Sequence, residues 1–284
     1  ACVGTVSVPN YNFEMSLAFM QLDDFQFPNQ LTNASTVCTV TNLNLGISHV
    51  VNLSGGQNNP VSGNISNFTG LEAFVSLENL SVAGHNITTF VNNNSLDFAP
   101  CLRELNVAST NLDISTLDLS SNNNLEVVWF SGCFSNTGQM PISPTNNPNL
   151  KIIKAIGLPM GSTIYPNGLD LSGFPCMKEL YINNTGLNGY NLTGLTELEK
   201  IWISDNLETT IDVSTCVSLT ELILNGNNNI TSVNLGSNID LANLYFSTFN
   251  SNCSMLIHVG TAARVAQAQN LWPGACGTFT DAAY

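Results

Sequence analysis

One pattern of apolar positions returns along the central part of the chain, between Phe74 and Phe246. An apolar residue is followed, three and five positions later, by two further apolar residues. The eight occurrences begin at Leu77, Leu102, Leu125, Leu150, Met177, Leu198, Leu219 and Leu241. Successive occurrences are 25, 23, 25, 27, 21, 21 and 22 residues apart. A repeat of this length predicts a solenoid, in which each repeat forms one coil.

The spacing inside the pattern predicts how each coil is built. Its last two apolar positions are two residues apart, so they face the same side of a short strand. One coil alone leaves that side exposed, whereas stacked coils bury it jointly and align their strands in a parallel sheet. A second alternating pattern, at residues 117–120, 211–214 and 233–236, predicts the opposite wall. The sequence therefore predicts an α/β solenoid of leucine-rich repeats, with a parallel β-sheet on one flank.

Both ends of the chain carry a helical pattern. Near the N-terminus, Phe13, Leu17 and Met20 fall on one face of a helix. Near the C-terminus, residues 261–271 are rich in alanine, and Thr261 is a good N-cap. The first and last coils of a solenoid expose apolar faces, so a helix laid across each end is expected as a cap.

These patterns predict three segments. The N-terminal cap with its helix covers residues 1–38, the solenoid covers 39–250, and the C-terminal cap with its helix covers 251–284. The solenoid is predicted to open with a first strand at residues 40–45. An irregular insertion rich in Gly and Asn follows at 54–63, and about eight coils come after it.

Four motifs occur in a fixed order in the N-terminal part of the chain. They are Val8-Pro9-Asn10-x-Asn12-Phe13-Glu14, Leu31-Thr32, Val40-Thr41-x-Leu43-x-Leu45 and Ile65-Ser66-x-Phe68-Thr69-Gly70-Leu71-Glu72. This order resembles the opening of secreted leucine-rich-repeat proteins of flavobacteria and other Bacteroidota. Coils of that family end in a phrase similar to Leu-Asp-Val-Ser, which residues 117–120 and 211–214 match. The resemblance covers most of the chain and implies an exported, cell-surface or extracellular protein, often part of a larger adhesin-like polypeptide.

One departure from that family concerns a column of asparagines. The position that often carries Asn in the family holds Asn206 and Asn227 in two of the coils. In other coils the same position is occupied by His85, Thr110, Cys133 and Leu158. We therefore do not expect an asparagine ladder that runs without interruption from coil to coil.

The chain is acidic, with a net charge of −14, and only 9% of its residues are charged. Nucleic-acid binding needs clustered Lys and Arg, so this balance argues against nucleic acid and against anionic membrane surfaces. No apolar run approaches the ~20 residues that a membrane-spanning helix needs. A hydrophobic content of 43% also differs from the composition of a disordered chain.

The cysteines are placed to close the two ends. Cys2 and Cys38 flank the N-terminal segment, and Cys253 and Cys276 flank the C-terminal one. This placement predicts two disulfides and an oxidising compartment. The remaining cysteines are predicted to be small buried side chains inside coils: Cys101, Cys133, Cys176 and Cys216. Neither the cysteines nor the histidines have the spacing of a metal site, so no metal or other cofactor is expected.

Four aromatic residues share one column of the predicted sheet. The outward position between the second and third apolar residues carries Ser81, Asn106, Trp129, Lys154, Tyr181, Trp202, Ile223 and Tyr245. Neighbouring strands lie about 4.8 Å apart, so Tyr181 and Trp202 are expected to be adjacent. Exposed Trp and Tyr side chains offer a large contact area and a polar tip, which favours a binding surface. High β-propensity and side-by-side stacking are the alternative explanation.

The basic residues concentrate on the same strands. Five of the six are Arg103, Lys151, Lys154, Lys178 and Lys200. Glu residues alternate with them in successive strands, so the charges could simply pair across the sheet, each pair contributing roughly 0–1 kcal/mol. The other interpretation is that Lys154, Lys178 and Lys200 belong to the binding surface.

No catalytic motif accompanies the repeat. The chain has no nucleophile elbow, phosphate-binding loop or paired Cys and His, and its acidic residues are scattered. We therefore predict a non-catalytic extracellular recognition or adhesion protein that binds a protein or a surface glycan. The residues predicted to bind are Trp129, Lys154, Tyr181, Trp202, Tyr245, Lys178 and Lys200. The alternatives are a structural subunit of a surface filament or phage spike, within a larger surface or virion assembly, and a glycan-degrading enzyme.

Overall fold

The computed structural model shows a parallel-strand β-solenoid of the leucine-rich-repeat type, as the sequence predicts. It describes residues 5–20, 31–33, 37–46, 64–137, 139–160, 168–237, 239–248, 250 and 253–284. Cys2 and the insertion predicted at 54–63 lie outside the described residues. The chain divides into two compact units, Ala1–Pro148 and Asn149–Tyr284.

The first unit combines one short helix with a ladder of parallel strands. Its elements are β1 (Thr5–Ser7), α1 (Tyr11–Phe19), β2 (Leu31–Asn33), β3 (Asn42–Asn44), β4 (Asn79–Ser81), β5 (Glu104–Asn106) and β6 (Val127–Trp129). Strands β3, β4, β5 and β6 pair in parallel in that order, whereas β1 and β2 pair antiparallel. Three single 3-10 turns lie between the strands, at Leu71–Ala73, Asn92–Asn94 and Ile114–Thr116.

The second unit contains two walls of parallel strands. Its elements are β7 (Ile152–Lys154), β8 (Leu169–Asp170), β9 (Glu179–Tyr181), β10 (Tyr190–Asn191), β11 (Lys200–Trp202), β12 (Thr210–Asp212), β13 (Glu221–Ile223), β14 (Ser232–Asn234), β15 (Tyr245–Ser247), β16 (Leu256–His258), α2 (Ala262–Leu271) and β17 (Thr278–Thr280). Strands β7, β9, β11, β13 and β15 form one ladder. Strands β12, β14, β16 and β17 form a second ladder, and β8 pairs with β10. The second alternating pattern of the sequence supplies β12 and β14, so the predicted opposite wall is present.

The repeated apolar positions form the core. The middle residue of most three-residue strands faces inward and is at most 1% exposed, as in Leu80, Leu105, Val128, Ile153, Leu180, Ile201 and Leu222. Burying one such side chain contributes about 1.5–3 kcal/mol. Because the same position recurs in every coil, the repeat pattern itself supplies the main stabilising force of the solenoid.

Buried polar side chains satisfy the main chain where the coils turn. In the second unit, Asn206 Nδ2 donates a hydrogen bond to the carbonyl of Ile182 at 2.7 Å. In the first unit, Thr110 Oγ1 and Cys133 Sγ both donate to the carbonyl of Val107, at 2.8 and 3.0 Å. The described coils therefore lack a continuous asparagine ladder, as expected, because other donors perform the same function.

The helix α1 begins as the sequence predicts, but it ends at Phe19, so Met20 lies just beyond the helix and is only partly buried. Asn10 Oδ1 accepts a hydrogen bond from the N–H of Phe13 at 3.1 Å and caps the helix start. Phe13 and Leu17 are fully buried, and the Phe13 ring packs edge-on against Phe68 with centroids 5.5 Å apart. The helix thus places its apolar face on the coil that contains Phe68.

The helix α2 is part of the cap that follows the last coil. Thr261 Oγ1 accepts a hydrogen bond from the N–H of Arg264 at 3.4 Å, and the helix ends at Leu271. Arg264 Nε donates to the carbonyl of Val259 at 2.7 Å, and Arg264 Nη2 donates to that of Ile239 at 2.8 Å. The guanidinium group therefore ties the helix to the carbonyls of the coil beneath it.

The cysteine predictions have mixed outcomes. The disulfide between Cys253 and Cys276 is present, and Cys38 is also disulfide-bonded. Cys133 and Cys216 are buried thiols, as predicted. The prediction of burial is wrong for Cys101, which is exposed, and for Cys176, which is only partly buried. Both follow a proline in a turn at the coil surface, and the inward position belongs to the next residue.

Candidate partner-binding surface

Three predicted site residues come together on the strand wall of the second unit. Lys154 of β7 is in register with Tyr181 of β9, which is in register with Trp202 of β11. Their side chains point to one side, because the middle residue of each strand faces the core. The rings of Tyr181 and Trp202 have centroids 6.2 Å apart and are tilted by 57°. The expected adjacency of these two aromatic residues is confirmed.

A lysine extends this row. Lys154 Nζ lies 5.1 Å from the centroid of the Tyr181 ring, a distance at which a cation–π interaction contributes about 0.5–2 kcal/mol. Burial lowers the pKa of the Lys154 ammonium group, nearby Glu179 opposes that shift, and Lys200 adds to it. We call the row Lys154, Tyr181 and Trp202 the aromatic wall.

Glu179, on the same strand as Tyr181, contacts both Tyr181 and Lys200. Its Oε2 accepts a hydrogen bond from the Tyr181 hydroxyl at 2.9 Å, and its Oε1 lies 3.3 Å from Lys200 Nζ. Burial and the hydrogen bond to Glu179 raise the pKa of Tyr181 to about 12. The tyrosine is thus fixed as a neutral ring, while Trp202 beside it is 41% exposed. A surface ordered before binding loses less conformational entropy when a partner arrives.

Ion pairs across neighbouring strands account for most of the charged positions. In the second unit, Lys178 Nζ lies 3.1 Å from Glu199 Oε1, and both side chains are partly exposed. In the first unit, Arg103 lies 3.7 Å from Glu78 and 3.0 Å from Glu126. The alternating charges therefore pair across the sheet. Lys200 is connected to the aromatic wall through Glu179, whereas the partner of Lys178 is Glu199.

Replacing Arg103 by alanine is expected to lower the free energy of unfolding by no more than about 1 kcal/mol. The side chain is 55% exposed, so water and salt screen its attraction to Glu78 and Glu126. Urea denaturation of the wild type and the variant at low and high salt measures this, and the difference should shrink as salt rises. A loss of more than about 2 kcal/mol would show that the charge ladder is a major source of stability.

The two remaining predicted contacts lie elsewhere. Trp129 belongs to the first unit, where it is partly buried on β6 in register with Asn106 of β5. Tyr245 is in register with Glu221, whereas Ile223 is in register with Ser247. The prediction that Tyr245 shares the column of Tyr181 and Trp202 is therefore wrong by two residues.

The slip in the last strand has a simple cause. In β15 the third apolar position of the pattern, Phe246, pairs with Leu222, where the second position, Leu244, was expected. Leu244 and Phe246 are 4% and 6% exposed, so both positions face the core. A shift of two residues keeps every side chain on its own side of a strand, and the apolar pattern therefore cannot distinguish the two registers.

Sequence reasoning also missed a cleft beside this last strand. It has a volume of about 240 Å³ and is lined by Tyr245, Phe246, Ser247, Thr248, Trp272, Gly274 and Ala275. Trp272 lies beyond the repeat and packs on Phe246 with ring centroids 5.2 Å apart. No periodicity connects Trp272 to β15, so the sequence pattern held no signal for this cleft.

Two further findings concern the part of the chain that the structure describes. No group of three or more His, Cys, Asp or Glu side chains there could hold a metal ion. The two described α-helices, of 9 and 10 residues, are also too short to cross a membrane.

Comparison with known proteins reveals similarity of fold. No protein-family model matches the chain, and no curated protein matches its sequence. Among solved structures, the functional domain of InlJ from Listeria monocytogenes, which includes a cysteine ladder, has a TM-score of 0.59 and 17% identity, covering 99% of this chain and 62% of that one. Two other L. monocytogenes structures are also similar. Internalin C2 has a TM-score of 0.55 and 14% sequence identity, and the match covers 99% of this chain and 100% of that one. The internalin InlF has a TM-score of 0.56 and 15% sequence identity, and the match covers 97% of this chain and 78% of that one. At such identities the likeness shows the shared leucine-rich-repeat fold alone.

Proposed function

We propose that this chain is a non-catalytic recognition protein that binds a partner protein through the aromatic wall. The observation that carries the proposal is the Tyr181–Trp202 pair, two large rings fixed in adjacent strands with Trp202 exposed. Residues of this type dominate the binding energy of protein interfaces, because they bury much area at small entropic cost. Lys178 and Lys200 lie at the rim, where charged residues give orientation more than affinity.

A protein partner explains the shape of the surface better than a glycan does. The two rings are tilted by 57°, so they form an angled ridge and not a flat platform for a sugar ring. The ion pairs Lys200–Glu179 and Lys178–Glu199 border the ridge, in keeping with a charged rim around an aromatic centre.

Two predicted contacts outside the aromatic wall, Tyr245 and Trp129, also belong to the proposed binding surface. Tyr245, on the second strand beyond Trp202, is 61% exposed and remains a predicted contact. Trp129, in the first unit, also remains a predicted contact. The disulfides at Cys38 and Cys253 support an oxidising, extracellular or cell-surface location, in agreement with the resemblance to flavobacterial surface proteins.

Replacing Trp202 by alanine is expected to weaken partner binding about 30-fold or more, the effect of losing about 2 kcal/mol at a central contact. The wild-type chain is applied to arrays of purified extracellular proteins and of glycans, and each interaction found is measured again with the variant. The Tyr181→Ala variant should show a loss of similar size.

The matched control is Leu256→Ala, which removes a similarly exposed side chain (46%) from β16 on the other wall. This control should bind as tightly as the wild type, and all three variants should keep nearly the wild-type thermal transition. Binding that survives both aromatic substitutions would show that the aromatic wall is not the site. Interactions confined to the glycan array would contradict the choice of a protein partner.

A further inference from the structure

The strand β15 ends its ladder with one edge free of any described partner. In this ladder β15 pairs with β13 alone. The N–H of Tyr245 donates to the carbonyl of Thr220 at 2.8 Å, and the carbonyl of Ser247 accepts from Leu224 at 2.9 Å. Hydrogen bonds of a parallel strand alternate in direction from one residue to the next. The N–H and C=O of Phe246 therefore point away from β13, toward the free edge.

The cleft of about 240 Å³ runs along this edge. One side is the strand itself, since Tyr245, Phe246, Ser247 and Thr248 all line it. The other side is the cap, where the Trp272 ring packs on Phe246. The unpaired main-chain groups of β15 thus border a walled cleft that is open to solvent.

The cap closes one end of the cleft and leaves the rest open. Thr248 Oγ1 accepts a hydrogen bond from the N–H of Cys276 at 3.0 Å and donates to the Cys276 carbonyl at 3.3 Å. The disulfide to Cys253 holds the same cap residue. The cap is therefore fastened at Thr248, whereas Tyr245 at the other end of the strand is 61% exposed.

The two hydroxyl side chains of Ser247 and Thr248 in the cleft already have partners. Ser247 Oγ donates to Asn225 Oδ1 at 2.9 Å, and the Thr248 hydroxyl is occupied by Cys276. What β15 still offers is main-chain hydrogen bonding, with the rings of Tyr245 and Trp272 on either side. An edge of this kind recognises an extended peptide, which supplies the missing N–H and C=O groups and places a side chain in the pocket.

The acidic charge near β15 indicates which charged side chain the bound peptide should carry. Glu221 of β13 is in register with Tyr245, and it makes no ion pair within the described residues. The chain as a whole carries a net charge of −14. A Lys or Arg beside the apolar side chain of the peptide is therefore favoured over an acidic residue.

We propose that the free edge of β15 is a second recognition site, which takes an extended segment of a partner protein as an added strand. An apolar side chain of that segment lies between Tyr245 and Trp272, and a basic side chain lies toward Glu221. This site stands apart from the aromatic wall, because β13 separates β15 from the strand of Trp202.

The test uses the peptide acetyl-Lys-Val-Leu-Val-Thr-amide, titrated into the isotope-labelled protein and followed by the amide NMR signals. We expect saturable shifts at Phe246 and Thr248, with a dissociation constant of about 1 mM or below. Single N-methyl groups are then placed on the second, third or fourth residue of the peptide. Because a strand bonds to its neighbour through alternate residues, methylation should weaken binding about tenfold at alternate positions and little at the position between them.

Two protein variants locate the site. Tyr245→Ala should weaken peptide binding several-fold, whereas the Leu256→Ala control and Trp202→Ala should leave it unchanged. The proposal is overturned if no shifts appear at about 5 mM peptide, or if they map to the aromatic wall. It is also overturned if the N-methyl series shows no alternation, or if the protein occupies this edge with a second copy of itself, detected as a concentration-dependent dimer in sedimentation.

Discussion

Replacing Asn206 by alanine is expected to lower the free energy of unfolding by about 4 kcal/mol, a large effect for one substitution. The side chain is 5% exposed and serves several main-chain groups of a buried turn. Its Oδ1 accepts from the N–H of Thr185 at 2.7 Å and of Gly186 at 3.2 Å, and its Nδ2 donates to the carbonyl of Ile182 at 2.7 Å. Alanine leaves the N–H of Thr185 and the carbonyl of Ile182 buried without this partner, and the N–H of Gly186 partly buried without it. Each fully buried group of this kind costs about 1–3 kcal/mol.

Urea denaturation followed by circular dichroism measures this loss. Asn229→Ala is the matched control, because it removes the same side chain from an exposed position of a neighbouring turn. The control should stay within about 0.5 kcal/mol of the wild type. A loss below about 1 kcal/mol for the Asn206 variant would mean that water replaces the missing bonds, and that the turn is less closed than the structure shows.

The buried carboxyl group of Glu208 is expected to make the free energy of unfolding depend strongly on pH. Glu208 is fully buried, and within the described residues no other side chain or main-chain group comes within hydrogen-bonding distance of its carboxylate oxygens; only its own main chain offsets the burial in part. Burial raises its pKa from the usual 4.5 to about 7. Between these two values the folded chain keeps the proton that the unfolded chain has released. Stability therefore falls as pH rises from about 4.5 to 7, by roughly 3 kcal/mol in total, and the loss is complete above the folded pKa.

The Glu208→Gln variant isolates this effect, because it keeps the shape of the side chain and removes the titration. Free energies of unfolding are measured for both proteins across the range from pH 4 to 8. The wild type should lose roughly 3 kcal/mol relative to the variant as pH rises. Hydrogen bonds lower the pKa of Asp118 and Asp170, whose contributions at acidic pH cancel in the comparison because both proteins share them. A pH-independent difference between the two proteins would contradict the buried, uncompensated state of Glu208.

Much of the architecture could be predicted from the sequence, because the physical cause recurs in every coil. The inward positions at Leu180 and Ile201 fix the strands, and the strands fix Tyr181 beside Trp202. The charge ladder around Arg103 follows from the same register. Each of these features depends only on the period of the repeat.

Features that depend on a single coil could not be predicted in this way. The predicted register of Tyr245 was wrong, because a shift of two residues along the strand preserves the apolar pattern. The burial of Glu208 results from the packing of one turn, and a charged residue between repeats ordinarily indicates an exposed position. The contact of Trp272 with Phe246 joins the cap to the last strand, and no repeat encodes it.

Site-specific photo-crosslinking can show whether a partner protein contacts the aromatic wall. A benzophenone side chain is introduced in place of Trp202 in one protein and in place of Leu256 in another. Each protein is irradiated with a partner identified on the protein array. Because one benzophenone replaces a central contact, the partner is titrated at concentrations high enough to occupy the weakened site. The account predicts a crosslinked adduct from position 202 and none from position 256. Adducts from position 256 alone would place the partner on the opposite wall and contradict it.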